Sequence, residues 1–405
     1  MRAIRTALIG VGGFGKVHIR HLVELSGQGL LEVTAFSDIN PDVNPEGWQQ
    51  LMTLGGAPYS DYKTMLDRHP ELDLVVIASP IPMHKEMAMY AFSRGIHVML
   101  EKPPAVTIQD LDEMLRAQAG SSSLCQVNFQ NTSGAAFREL LRIIQEGQIG
   151  DVLHVTGVGL WKRTQAYYDR TPWAGKLIHK GNYVLDGTIN NPLAHLLNNC
   201  LLVAGSGNIE ESTPLDIQAE LYHANAIEGE DTSCLRIRTQ SGAIVHFYAS
   251  LCHVGESIPS ITVKGTQGEL VWTYNNTLNV RTDGSQPSSR SFANEDYVHN
   301  MYLNTLAAIQ DESVALLSSL QQCRNFVLAV NGAFESSGET HPISEGFLVR
   351  KDEGNTVFTE ITGIEADVRR AAAEGVLFSE LSVPWAVAGR LFSLDGYHSF
   401  DLFRS

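Results

Sequence analysis

Cysteine, basic charge and long apolar runs are what this chain has least of. Its five cysteines (Cys125, Cys200, Cys234, Cys252 and Cys323) are odd in number, scattered, and form no C-x-x-C. Such spacing offers neither a disulfide framework nor a metal set, so buried free thiols in a reducing compartment are expected and no metal is assigned. Lys and Arg number 29 against 45 Asp and Glu, a formal charge of −16. That balance argues against nucleic acid and anionic membranes as partners. No apolar run is long enough to span a bilayer. The N-terminus enters a strand directly, without a charged leader and cleavage site, and a cytoplasmic location is the resulting expectation. No internal repeat or low-complexity segment is present. Apolar content is ample: 43% hydrophobic against 18% charged over 405 residues suffices for two domains with sizeable cores.

The stretch Ala7-Leu8-Ile9-Gly10-Val11-Gly12-Gly13-Phe14-Gly15 reads as a short strand running into G-x-G-x-x-G. A helical pattern follows, with Val17, Leu22, Val23 and Leu25 on one face. A nucleotide pyrophosphate is anionic and is bound by backbone N–H groups at the positive end of a helix. Gly10 permits the sharp turn, Gly12 the approach of the phosphates, and Gly15 the close packing of helix on strand. Gly13 and Phe14 complete the loop. Alone, three glycines read equally well as a tight turn without a ligand. The context shifts the balance. Leu30 to Ser37 is a second apolar strand, closed by Asp38, which lies 23 positions after Gly15. The acid that accepts ribose hydroxyls is expected at about 20. Ile39-Asn40-Pro41-Asp42 holds no Lys or Arg to neutralise a 2′-phosphate, which favours NAD over NADP.

Asp61 to His69 reads as a helix and Leu72 to Ala78 as a buried parallel strand, apolar on both faces. The strand ends at Ser79-Pro80-Ile81-Pro82-Met83-His84, where open α/β sheets bind ligands. Glu86 to Arg94 is helical, His97 to Leu100 is a strand, and Glu101-Lys102-Pro103-Pro104 follows. Strand, S-P-x-x-x-H, helix, G-I-H-V and E-K-P in this order resemble the Gfo/Idh/MocA oxidoreductases, which use a nicotinamide cofactor on sugars, cyclitols and related polyols. An ammonium at a strand end can hold a hydroxyl and stabilise a forming alkoxide, and desolvation would bring its pKa toward a useful range. The resemblance implies this role for Lys102, a cis Lys102–Pro103 bond, and contacts to the cofactor from Ser79, Pro80, His84, Glu101 and Lys102. A solvated loop lysine is the alternative. Many family members carry an asparagine two places after the proline of the first loop, where this chain reads Ile81-Pro82. His84 either holds that loop, touches the cofactor, or begins a helix with no ligand.

Pro104 to Ala119 reads as an amphipathic helix, with a domain boundary near Ser121-Ser122-Ser123. Cys125–Phe129 is a strand, Ala135–Glu146 a helix and Asp151–Leu160 a strand. The next segment, Trp161 to Lys176, is dense in aromatics and cations and lacks periodicity. Ring faces and charged groups of this kind suit a sugar pocket, with Arg163, Tyr167 and Trp173 as candidate contacts; a loop pinned by buried aromatics is the other reading. Pro192 reads as the first turn of a helix running to about Ala204. The family commonly has D-x-x-x-H here, an aspartate orienting a histidine general acid/base. Asp186 matches, but Asn190 takes the histidine position. Asn191 and His195, four apart, would share a helix face. The chain resembles a branch written W-x-R-x-x-x-Y-Y-x-x-x-x-W-x-G followed by D-G-x-x-N-N-x-x-A-H-x-x-N. His195 is then either the proton acceptor or a histidine satisfied by packing. The candidate catalytic set is Lys102, Asp186 and His195. Substrate contacts are expected from Lys102, Arg163, Tyr167, Trp173, Asp186, Asn190, Asn191 and His195.

From Leu215 onward the pattern is β, with six short strands between Ile217 and Arg281 and hairpin turns at Gln240-Ser241-Gly242 and Gly265-Thr266-Gln267-Gly268. One face of the resulting antiparallel sheet is expected under helices and the other free for self-association. The resemblance implies a homodimer or homotetramer built on it. Asp296–Gln310 and Val314–Phe334 read as long helices, and the tail from Glu345 shows no chemistry. The expected architecture is an α/β Rossmann dinucleotide-binding domain (1–122), an α+β domain with a large, mostly antiparallel open sheet (123–344), and a C-terminal extension (345–405) packed on the second domain. The expected activity is NAD-dependent oxidation or reduction of a secondary hydroxyl on a sugar, glycoside or cyclitol. Two alternatives remain: a glycosidase that keeps its NAD and acts by transient oxidation and elimination, and a non-catalytic sensor of sugar and NAD.

Overall fold

The computed structural model describes residues 2–403. They divide into two compact units: residues up to Ser133 together with Asp296–Cys323, and Gly134–Glu295 together with residues from Arg324 on.

The first unit is a six-stranded parallel sheet. Its strands are β1 (Ile4–Ile9), β2 (Leu31–Ser37), β3 (Ala57–Tyr59), β4 (Leu74–Ile77), β5 (His97–Leu100) and β6 (Cys125–Val127), in the order β3-β2-β1-β4-β5-β6. The helices are α1 (Gly15–Gly27), α2 (Pro45–Thr53), α3 (Tyr62–Arg68), α4 (His84–Phe92) and α5 (Ile108–Ala119). The four residues of β4 are all buried, as its apolar run requires of a parallel strand covered on both faces. Strand order reverses between β1 and β4, the point where such sheets bind ligands. Thr107 caps α5 through Asp110 N–H, so that helix starts at Ile108 and not at Pro104. A later segment, α9 (Tyr297–Gln310), belongs to this unit, with Val298, Met301, Tyr302 and Leu306 in the same core as Leu8, Leu22 and Val76. The expected helix over Val314–Phe334 is not formed as such. Val127 N–H donates to Ser318 O, Leu320 N–H donates to Cys125 O, and Gln126 bridges Ser319 in antiparallel sense. Residues 318–320 thus satisfy the open edge of β6, and backbone bonds spent there are unavailable to a helix.

The second unit is built on a ten-stranded sheet. Its helices are α6 (Ala135–Gln145), α7 (Gln165–Tyr168), α8 (Ala194–Ala204), α10 (Arg324–Ser337) and α11 (Ile364–Glu374). Its strands are β7 (Val152–Leu160), β8 (Ile178–His179), β9 (Asn182–Tyr183), β10 (Pro214–His223), β11 (Thr232–Thr239), β12 (Ile244–Ser250), β13 (Ser260–Gly265), β14 (Gly268–Thr273), β15 (Thr277–Thr282), β16 (Ser288–Ser291), β17 (His341–Pro342), β18 (Leu348–Glu353), β19 (Thr356–Ile361) and β20 (Phe392–Ser393). The sheet order is β16-β15-β14-β13-β7-β12-β11-β10-β17, with β20 beside β10; β8–β9 and β18–β19 are separate hairpins. Most pairs are antiparallel, but β7–β12 and β10–β17 are parallel. On one face α8 crosses β7 so closely that a Cβ on Gly157 would meet Cys200 Sγ at 2.6 Å.

The other face, expected to be free, is covered where β10, β11 and β12 cross it. Tyr222, Cys234 and Tyr248 from β10, β11 and β12 share a buried cluster with Ile364, Val368, Phe378, Val383 and Trp385, and Tyr248 Oη donates to the Ala371 and Val376 carbonyls. Residues 345–403 thus supply the cover for an apolar face that would otherwise stay exposed. All five cysteines are buried and unpaired. No helix among the described residues is long and apolar enough to cross a membrane.

Candidate functional site

In the first unit, Gly10 turns the chain at φ +91°, and a Cβ there would meet the Ala78 carbonyl oxygen at 2.5 Å. A Cβ on Gly15 would overlap the Gly10 carbonyl oxygen, so α1 reaches the end of β1 only with glycine at that position. Around Gly13 a Cβ would touch nothing within 4 Å, whereas on Gly12 it would press on the Val43 side chain at 2.8 Å. Phe14 precedes α1, which opens with no side-chain cap and no acid in its first turn. Its first amides, at Gly15, Lys16 and Val17, bond back to the Gly12, Gly13 and Phe14 carbonyls, and the positive end of the helix dipole faces the glycine turn.

Asp38, just past β2, accepts from Val11 N–H at 2.9 Å on Oδ2 and from Asn40 N–H at 2.9 Å on Oδ1. The acid is fixed against the glycine turn, with lone pairs left on both oxygens. Ser79 and Pro80 follow β4, and the buried Ser79 Oγ has no hydrogen-bond partner. A glycine cradle, an uncapped helix, a fixed acid and an orphaned hydroxyl at the carboxyl end of a parallel sheet fit a dinucleotide.

Two residues expected at the cofactor, His84 and Glu101, are buried and hydrogen-bonded to the loops around it. His84 lies with Nδ1 2.8 Å from the Pro103 carbonyl oxygen and Nε2 2.9 Å from that of Ser79. Burial lowers its pKa, and the two carbonyls oppose the shift. It clamps the loop after β4 to the chain just beyond Lys102. Glu101 accepts on Oε1 from His18 Nε2 (2.9 Å) and Asn128 Nδ2 (2.6 Å), while Lys102 N–H donates to its Oε2 (3.3 Å). His18 Nδ1 in turn lies 2.8 Å from Tyr302 Oη. Burial pushes the Glu101 carboxyl up, but the contacts with His18 and Asn128 pull it down further, so it ends below the usual carboxylate value. Lys102 is half-buried, and its bond to Pro103 is cis.

In the second unit the aromatic and cationic segment forms a stack. The Arg163 guanidinium lies 5.0 Å from the Trp161 ring centroid and 5.6 Å from that of Tyr167; Arg170 lies 3.7 Å from Tyr167 and 5.3 Å from Trp173. Arg163 is further held by Glu256 at 2.7 Å. Arg170 reaches Asp186 Oδ2 at 3.4 Å. Asp186 is 2% exposed. It accepts from Gly175 N–H at 2.7 Å on Oδ2 and from Asn191 Nδ2 at 2.8 Å on Oδ1. Its neighbour Leu185 stands at φ +46°, a conformation that a leucine adopts only under constraint. Asn190 is buried and donates from Nδ2 to the Val184 carbonyl at 3.2 Å.

The expected helix start is corrected. Asn191 N–H bonds Gly187 O and Leu193 N–H bonds Thr188 O in successive turns, and α8 begins only at Ala194. Asn191 therefore lies outside the helix, and the side chain held by Asp186 is this asparagine. His195 sits half-buried in the first turn of α8.

Two residues of this cluster were not picked out from the sequence. Arg170 is one. Glu230 is the other: it is fully buried, accepts from Ile189 N–H at 2.8 Å on Oε1, and leaves Oε2 without a partner. Its carboxyl rests against Gly187, where a Cβ would overlap it. Burial pushes it up to about 8; the Ile189 N–H opposes this, and the Asp186 and Asp231 charges add to it. The only signal in the sequence was the acid pair Glu230-Asp231 set directly before an apolar strand, where a turn would have left it solvated.

Comparison with known proteins gives two family matches. The family described as "Oxidoreductase family, NAD-binding Rossmann fold" matches residues 4–129, and the "GFO/IDH/MocA C-terminal domain" matches residues 137–271. A glycosyl hydrolase family 109 protein of Shewanella pealeana is 29% identical over 161 residues, 38% of this chain and 34% of that protein. An inositol 2-dehydrogenase of Pseudomonas savastanoi pv. phaseolicola is 30% identical over 200 residues, 48% of this chain and 53% of that protein. The chain thus matches about a third to a half of the length of these relatives. Among solved structures, the WlbA dehydrogenase of Bordetella pertussis, in complex with NADH and UDP-GlcNAcA, superposes with a TM-score of 0.68 at 23% identity, covering 83% of this chain and 97% of that one. A levoglucosan dehydrogenase in complex with NADH gives 0.71 at 19% identity, covering 83% and 97%. Identities this low establish a shared fold.

Proposed function

The chain belongs to the Gfo/Idh/MocA oxidoreductase family, and from that premise we propose that it is an NAD-dependent dehydrogenase acting on a secondary hydroxyl of a sugar, glycoside or cyclitol. The observation that carries the reading is the buried Tyr302–His18–Glu101 chain. It joins the helix that starts at the glycine turn to the residue before Lys102, so one support serves both the phosphate-binding loop and the amine.

Gly10, Gly12, Gly13, Phe14 and Gly15 hold the pyrophosphate in this proposal, and Asp38 holds the adenosine ribose. The absence of a cation in residues 39–42 selects NAD over NADP. Bound NAD supplies a hydride acceptor at C4 of its nicotinamide. Lys102 holds the reacting hydroxyl through its ammonium and stabilises the oxyanion that forms as the proton leaves. Asp186 fixes Asn191 and Arg170, His195 takes the proton, and Glu230, protonated at neutral pH, presents a hydroxyl where a second charge would repel Asp186. Tyr167 and Trp173 offer ring faces to C–H faces, Arg163 offers its guanidinium to hydroxyls, and Asn190 and Asn191 offer amides to hydroxyls. The names inositol 2-dehydrogenase and levoglucosan dehydrogenase support cyclic polyols and sugars as the substrate class.

The test is NADH formation against a panel of free sugars, glycosides and inositols. Turnover with at least one cyclic polyol or sugar is expected. Tight binding of NAD and a sugar with no turnover across the panel would replace this proposal by the sensor reading. A second reading has its own support in the glycosyl hydrolase family 109 relative: cleavage of a glycoside with no net NADH would mark an enzyme that keeps its NAD and works through transient oxidation of the sugar.

A further inference from the structure

Outside both halves of the proposed site, the first unit brings two histidines and a carboxylate together. One ligand atom each from His21, Glu24 and His299 lies within 4.8 Å of the other two. His21 and Glu24 are three apart on α1, hence on one face; His299 comes from the first turn of α9, 275 positions after Glu24. His21 is fully buried, His299 partly buried and Glu24 exposed.

The hydrogen bonding of the two imidazoles is incomplete in a telling way. His21 Nε2 lies 3.4 Å from Asp296 Oδ1 and 3.2 Å from Arg20 Nη2. A carboxylate only accepts and a guanidinium only donates, so the two compete for opposite tautomers. Arg20 already has Asp296 Oδ2 at 2.7 Å. His21 Nδ1 is buried without a hydrogen-bond partner, and a metal at Nδ1 requires the tautomer that carries its proton on Nε2, on the side of Asp296. His299 Nδ1 is likewise buried and unpartnered, and lies 3.7 Å from Glu24 Oε1, beyond hydrogen-bond reach. Gln28 Nε2 approaches the same Glu24 oxygen at 3.4 Å. The Asp296 carboxylate also accepts the His299 N–H at 3.1 Å, capping α9 and anchoring the base of the cluster.

We propose that His21, Glu24 and His299 form a binding site for a zinc-like divalent transition-metal ion that staples α9 to α1. Two imidazole nitrogens and one carboxylate, without thiolates, are a borderline-soft set that suits Zn²⁺, Co²⁺ or Ni²⁺ and not Mg²⁺ or Ca²⁺, which take oxygen shells. Water fills the remaining position on the Glu24 side. Asp296, whose Oδ1 lies 3.4 Å from the far nitrogen of His21, is the outer carboxylate placed to take its N–H when Nδ1 ligates. Formal charge agrees: Glu24 and Asp296 against Arg20 leave one net negative charge around neutral imidazoles. The site is independent of the proposed reaction, because none of its ligands belongs to the proposed catalytic or cofactor-contacting set.

The experiment uses the full untagged chain, stripped with chelator and titrated with Co²⁺. The expected result is saturable binding of one ion per chain, with visible d–d absorption of a tetrahedral or five-coordinate nitrogen–oxygen site, displaced by Zn²⁺. His299→Gln should abolish that absorption. Glu24→Gln, at an exposed position where folding is not at stake, should weaken binding at least about 10-fold, the scale of losing one ligand's charge-assisted contact. NAD binding should be unchanged in both variants. Absence of saturable one-to-one binding, or Co²⁺ binding that both variants leave intact, would overturn the proposal.

Discussion

Replacing Glu230 with glutamine should remove a stretch of pH dependence from the stability of the second unit. The carboxyl is fully buried, with Oε1 on Ile189 N–H and Oε2 against Gly187. Below pH 4.5 it is protonated in both the folded and the unfolded chain. Between 4.5 and about 8 only the unfolded chain releases the proton, so stability falls as pH rises. Above about 8 both forms are ionised and the loss is complete. The rise from 4.5 to about 8, at about 1.4 kcal/mol per tenfold change in proton affinity, caps the loss at about 5 kcal/mol. Glutamine keeps the shape and the acceptor for Ile189 but cannot ionise. Urea unfolding of both proteins from pH 5 to 9 is the assay. Four of the five tryptophans (Trp161, Trp173, Trp272 and Trp385) lie in the second unit, so fluorescence reports on it. The stability of Glu230→Gln relative to the parent should grow by about 1.4 kcal/mol per pH unit up to pH 8 and then level off. A difference that stays constant across this range would refute the reasoning.

Four further outcomes are expected. Lys102→Ala should lower kcat by about 10²- to 10⁴-fold while changing the NAD dissociation constant little, as read by fluorescence titration; a parental kcat would remove Lys102 from the chemistry. Asp38→Ala loses two charge-assisted acceptors, which should weaken NAD binding by about 10- to 100-fold and leave kcat at saturation nearly unchanged. Gly15→Ala places a methyl on the Gly10 carbonyl oxygen and should cost about 1–3 kcal/mol in stability, measurable as a lower urea midpoint, together with weaker NAD binding. Trp385→Ala empties a site where the indole packs edge-on against Tyr222 at 4.9 Å and Phe378 at 5.5 Å. It should cost about 3–5 kcal/mol and make residues 345–403 susceptible to limited proteolysis.

Local periodicity and spacing were enough to read the first unit as far as α5, but β6 and α9 belong to it too, past the boundary expected near Ser121. Continuous apolar runs identify β1, β2, β4 and β5 as parallel strands. Three glycines and Asp38 mark the turn and the acid, and both lie at the carboxyl ends of strands in the structure. Alternation and turn chemistry likewise located β10 to β15, because a strand half covered by helices must show it. The resemblance carried by Glu101-Lys102-Pro103 implied a cis bond after Lys102, and that bond is cis.

Long-range pairing was decided only in three dimensions. Apolar residues from Val314 to Leu317 fit a helix equally well, until the unsatisfied edge of β6 claimed the backbone of Ser318 and Leu320. The family pattern pairs this aspartate with a histidine four positions on, where this chain has Asn190, and successive turns between Gly187 and Leu193 bring Asn191 to Asp186. Over β10 to β12 the sheet face expected to be open is covered by the chain's own tail, since an apolar surface takes whichever cover the fold brings to it. Glu101 and Glu230 are both buried acids next to strands. One is ionised because His18 and Asn128 reach it, the other protonated because a single N–H does. A sequence records which groups can ionise or bond; the neighbours that settle their charge are set by folding, and those neighbours come from segments far apart in the chain.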